Sequence, residues 1–179
     1  TYTHAVALLT RDEAAATTLL TGVRQAADEG RLKLTPGNGA AMSLARDPEN
    51  KVAFCLTDTD DAWAAKSAGF PVEVVYPDQG EGQLGTLVIP NTLALVKGRP
   101  HPEPAARLLR WIARPELEGK LAAGASAQMP VRPEVPVPAD GHVKRPGTDF
   151  RVMDVDWSAV GRNRDRWQDL LTRLFRPTR

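Results

Sequence analysis

Apolar residues recur at helical spacing over residues 3–29, where Ala5, Leu8 and Leu9 form one set and Leu19, Leu20 and Val23 a second. This predicts two helices with a break at Thr10-Arg11-Asp12, where Thr10 or Asp12 caps the second, and a stop at Gly30. Shorter apolar runs follow, separated by turn residues. Residues 32–34, 51–56 and 72–76 read as strands, with helices predicted over 40–46 and 62–68 between them. A β-like stretch over 85–96 is interrupted at Pro90-Asn91, which suits a bend or an edge. Helices are predicted again over 102–113, with Ala105, Leu108, Leu109 and Ile112 on one face, and over 115–123 and 157–175. Each of the first two opens on a proline at a tolerated first-turn position. The proline-rich segment 130–146 has no period and reads as a wrap or linker. Alternation of helix and strand in the first part of the chain predicts an α/β sheet with crossover helices.

Composition narrows the function classes. The 179 residues carry 23 Lys and Arg against 22 Asp and Glu, a formal net charge of +1, which offers no electrostatic footprint for a nucleic acid. No apolar run approaches the length of a membrane span. The single Cys55 rules out a disulfide within the chain and reads as a small buried hydrophobe on a strand. No basic segment, apolar run and cleavage site open the sequence, and the start is expected to be the middle of a longer protein.

The sharpest local feature is Thr57-Asp58-Thr59-Asp60-Asp61, directly after an expected strand, where α/β proteins place ligand sites. Three readings fit it. Asp58 and Asp60 as nucleophile and general acid would serve Mg²⁺-dependent phosphoryl chemistry. Asp and Thr as caps would simply start the next helix. A ligand-recognition loop is the third. Thr1, Thr3 and His4 stand at a helix start, a natural anion site. Asn38-Gly39 makes a tight turn before a helix. His101 and His142 show no metal-ligand spacing, no glycine-rich phosphate loop is present, and the Arg-rich end from Arg162 is offset by Asp165 and Asp169.

Taken together, four stretches resemble the ferric-type group of periplasmic binding proteins, the family 1 extracellular solute-binding proteins. They are Gly37-Asn38-Gly39-Ala40, Leu56-Thr57-Asp58-Thr59-Asp60-Asp61-Ala62, Tyr76-Pro77-Asp78-Gln79-Gly80 through Gly85 to Asn91, and Lys97-Gly98-Arg99-Pro100-His101-Pro102-Glu103. Gly124 to Pro130 and Val155-Asp156-Trp157 fit the tail of the same pattern. The resemblance implies an α/β, type II bilobed periplasmic-binding-protein fold, incomplete because the N-terminal half is absent. Residues 1–84 would form a second-lobe α/β segment, and 85–179 the hinge-crossing strands and the helical end of the first lobe.

The implied function is the substrate-binding component of a bacterial ABC importer, periplasmic or extracellular and non-enzymatic, with any membrane anchor in the missing N-terminus. Its partners would be a small solute, an inner-membrane permease and the missing half, with no nucleic acid. Thr1, Thr3, His4, Asn38, Asp58, Thr59, Asp60, Tyr76 and Gln79 are the expected ligand-binding residues. No resident cofactor is expected. Fe³⁺ enters only as a transported ligand, on Tyr76 with Asp58, although the chain lacks the adjacent tyrosines common in ferric members. A small anion held by Thr hydroxyls and helix N-termini is the other cargo. The rival functions are a Mg²⁺-dependent phosphatase using Asp58 and Asp60 and a ligand-sensing effector domain.

Overall fold

A computed structural model describes residues 2–139 and 141–175. Among them the α-helices are α1 (Tyr2–Arg11), α2 (Glu13–Asp28), α3 (Asn38–Ala45), α4 (Thr59–Ser67), α5 (Pro102–Ile112), α6 (Pro115–Ala122) and α7 (Trp157–Phe175), with a 3₁₀ turn at Pro48–Asn50. The backbone groups into two units, one of residues 1–57 with 154–179 and the other of residues 58–153. The expected boundary at 84/85 lies inside the second of these.

In the first unit α1, α2 and α7 pack on one another. Asp12 separates α1 from α2 because its carboxylate accepts the Ala15 N–H at 3.0 Å, the side-chain cap that the break in periodicity demands. The core holds Val6, Leu9, Leu20, Val160, Trp167 and Leu171. Val6 and Leu9 are its most completely enclosed large side chains, each 1% exposed. Burying the Trp167 ring requires a partner for its N–H, and Thr10 Oγ1 accepts it at 3.1 Å. Arg166 bonds Glu13 at 2.7 Å across the α2–α7 contact.

The second unit has a smaller centre, in which Trp63 of α4 and Ala122 of α6 pack with Ala127 and Val143, flanked by Val74 and Val137. α6 is tied to the chain after it by Glu118. That carboxylate accepts the Val131 N–H, the Arg132 N–H at 3.0 Å and the Arg132 Nη1 at 2.7 Å.

The expected sheet is where the structure departs most from the sequence reading. No strand ladder forms among the described residues; residues 32–34, 51–56 and 72–76 hold no bridge position, and 85–96 holds one, Thr86 with Val152. The physical reason lies in what each element needs. A helix satisfies its own backbone, whereas a strand must borrow donors and acceptors from a neighbour. Lacking that neighbour, these segments leave Phe54 79%, Val75 81% and Val96 71% exposed. Cys55 is accordingly half-buried rather than enclosed on a central strand. α5 shows the same deficit, with a strongly apolar face and no buried residue.

Candidate functional site

α4 begins where the Asp-rich turn ends. Asp58 is its N-cap in extended backbone, its carboxylate accepting the Asp61 N–H at 3.4 Å, and Asp60 accepts the same N–H at 3.2 Å. Thr59 is the first helical residue. The capping role anticipated for this turn is therefore present, but on Asp58 rather than on Thr59 or Asp60 alone. Three carboxylates here exceed what one cap requires. Burial raises the Asp60 pKa, and the adjoining Asp58 carboxylate adds to the rise. Burial and Asp58 likewise raise Asp61. The helix N-terminus favours negative charge, yet the cluster is crowded enough that uptake of a proton or an opposite charge relieves it.

Tyr76 stacks on Phe150, with ring centroids 4.4 Å apart and planes inclined by 24°. Its hydroxyl is buried without a hydrogen-bond partner, as is the Trp63 indole Nε1. Burial pushes the Tyr76 phenol up; the Trp63 N–H, near the hydroxyl but outside hydrogen-bond geometry, offsets part of the rise, and the charge of Asp149 adds to it. A phenolate is thus disfavoured here, which weakens Tyr76 as an iron ligand. Trp63 itself faces His142 at 5.4 Å.

Gln79 is committed to the backbone. Its Nε2 donates to Pro77 O at 2.9 Å, Thr86 Oγ1 at 3.0 Å and Arg151 O at 3.1 Å, while its Oε1 accepts the Arg151 N–H at 2.6 Å. The side chain closes a turn and has little left for a ligand.

In the first unit, Thr3 and His4 occupy the opening turn of α1, and Asn38 opens α3, its carbonyl accepting Thr57 Oγ1 at 3.4 Å. Thr1 lies outside the described residues. The structure therefore brings Asp58, Thr59 and Asp60 together in one turn, and it places Tyr76 and Gln79 in separate local networks of the same unit. Sequence reasoning missed Asp61, whose place within the Asp-rich run was the available signal. No group of three or more His, Cys, Asp or Glu able to hold a metal ion occurs among the described residues.

A match to the family described as bacterial extracellular solute-binding protein spans residues 4–146. The chain belongs to that family. Neither a curated protein nor a solved structure matches it. Membership gives this solute-binding protein a general role in binding a solute and an extracytoplasmic setting. No helix among its described residues is long and apolar enough to cross a membrane. The matched span includes the Asp58–Asp61 turn, Tyr76 and Gln79.

Proposed function

We propose that this protein is the substrate-binding component of a bacterial ABC importer, which captures its solute between two lobes of a type II periplasmic-binding-protein fold and delivers it to an inner-membrane permease. The observation that carries the reading is the family match over residues 4–146. The cargo is a solute that meets Asp58 and Asp60, with Thr59 beside them. Three crowded carboxylates, of which Asp60 and Asp61 have a raised pKa, repel a free anion and favour a solute bearing positive charge or hydrogen-bond donors. Ferric iron belongs to that class, and the small anion falls behind it. Iron would need oxygen ligands beyond these carboxylates, because Tyr76 keeps its hydroxyl buried.

Calorimetric titration of the chain with ferric citrate, 1,4-diaminobutane, and a set of phosphorylated and carboxylated small molecules tests the cargo. Binding of the diamine, or of iron taken from ferric citrate with release of the citrate, is expected, and Asp58→Asn with Asp60→Asn should weaken it at least tenfold, about the loss of one charge-assisted contact. Binding confined to anions and untouched by the double substitution would overturn the cation reading. Turnover of a phosphate ester that is lost in Asp58→Asn would overturn the transport reading itself.

A further inference from the structure

Away from the Asp58–Asp61 turn, the second unit carries an open trough of about 250 Å³ between the extended residues 93–96 and α5. Its walls are apolar, with Leu93, Leu95, Leu108 and Ile112 among them, and the one charged side chain lining it is Arg99. Leu93 and Leu108 remain 52% and 56% exposed, so this apolar surface is open to solvent. Arg99 Nη1 donates to Val96 O at 3.2 Å, but its Nε is buried without a partner, and Arg99 makes no ion pair among the described residues. A charge with a buried, unsatisfied donor calls for an anion that brings an acceptor oxygen with it.

We propose that this trough binds a small amphipathic carboxylate, its head on the Arg99 guanidinium and its hydrocarbon tail against Leu93, Leu95, Leu108 and Ile112. A planar carboxylate matches the guanidinium fork. Apolar walls with a single convergent polar group are the make-up of a small-molecule site. The volume lies below the roughly 300–1,000 Å³ of drug-sized pockets, so the tail is short. The site involves neither the Asp-rich turn nor the transport reading, and it stands or falls separately from both.

Octanoate, octanol and acetate separate the two halves of the recognition on the unmodified protein. Isothermal titration should show octanoate binding roughly ten- to a hundredfold more tightly than octanol, the scale of a hydrogen bond to a charged group, with acetate not bound. Arg99→Leu should bring octanoate down to the octanol level without weakening octanol. Leu108→Asp, at an exposed position that folding tolerates, should weaken both. Equal affinity for octanoate and octanol in the wild-type chain would overturn the proposal, as would octanoate binding unchanged in Arg99→Leu. Sedimentation in the same buffer adds a further arm: a dimer that excludes octanoate would assign the trough to a second copy of the chain and overturn the proposal likewise.

Discussion

Gly85 has backbone of a distant segment closer to its Cβ position than any other glycine described in the second unit. Its φ is +87°, and a Cβ there would meet the Val152 carbonyl carbon at 2.7 Å and the Met153 nitrogen at 2.9 Å. Thr86 beside it makes the bridge to Val152, with its N–H on Arg151 O at 2.9 Å and its carbonyl accepting Met153 N–H at 3.0 Å. Gly85→Ala is therefore expected to cost more than the 1–3 kcal/mol or so of a strained φ alone, because backbone atoms cannot step aside. Gly82 has a comparable φ of +72° with nothing near its Cβ position, so Gly82→Ala should cost only the φ term. Urea midpoints of the two variants check this, and equal losses would remove the steric part of the argument. A second expectation concerns Asp60. Its folded pKa is raised, so the folded chain holds the proton more tightly than the unfolded one, and stability declines as pH rises from the ordinary aspartate range through the folded value. Asp60→Asn should raise the unfolding midpoint slightly at pH 7, within about 0.5 kcal/mol for a group only partly buried, and change nothing well below the carboxylate range. A gain that persists in acid would assign the effect to something other than charge. Neither residue's role is fully legible in the sequence. Gly85 reads as a turn signal, but the approach of Val152 is a meeting of distant segments that no local pattern encodes.

At the scale of elements, the helices were readable and the strands were not. α7 runs over the residues its periodicity marks, α5 and α6 open on Pro102 and Pro115, and Asp12 caps α2, because each of these signals acts within one or two turns. The apolar runs at 51–56, 72–76 and 85–96 stay outside the helices, but a ladder depends on a partner segment, which periodicity in one segment cannot specify. The tie between α6 and the proline-rich segment was equally hidden, since Glu118 and Arg132 are fourteen positions apart. Its energetics are nonetheless definite. Burial alone would raise the pKa of Glu118, which is 15% exposed, but the Arg132 side chain and the N–H groups of Arg132 and Val131 outweigh it and hold the pKa below its ordinary value. A depressed carboxylate contributes stability above its unfolded pKa and loses it as pH falls through the folded one, opposite in sign to Asp60. Glu118→Ala should cost about 1–3 kcal/mol at neutral pH by stranding those N–H groups. The difference from wild type should shrink in acid. A constant difference from pH 7 to pH 3 would contradict the charge-based account.

For the whole molecule, exposed apolar side chains on extended backbone recur in both units. Phe54 and Leu56 are 79% and 69% exposed in the first unit, Val75 and Val96 81% and 71% in the second. No N–H from 87 to 95 donates a hydrogen bond among the described residues, and the same holds for 52–57. Burying one such large side chain fully is worth about 1.5–3 kcal/mol, comparable with a sizeable part of a domain's net stability. The chain on its own is therefore expected to bind the apolar dye anilinonaphthalene sulfonate in its native state and to exchange these amides at close to unstructured rates. The amides of α1, α2 and α7, closed over Val6, Leu9 and Trp167, should be slower by orders of magnitude, because they open only with the unit's core. Hydrogen exchange read by mass spectrometry resolves these peptides in one experiment. If a solute of the class proposed here organises the extended segments into strands, its addition should slow exchange at 52–56, 73–75 or 87–95 and leave the helical peptides unchanged. Strong protection of 87–95 in the solute-free chain would mean that those residues are already paired in solution. The sheet expected from the apolar runs would then be present without solute, and the open trough beside α5 would be covered.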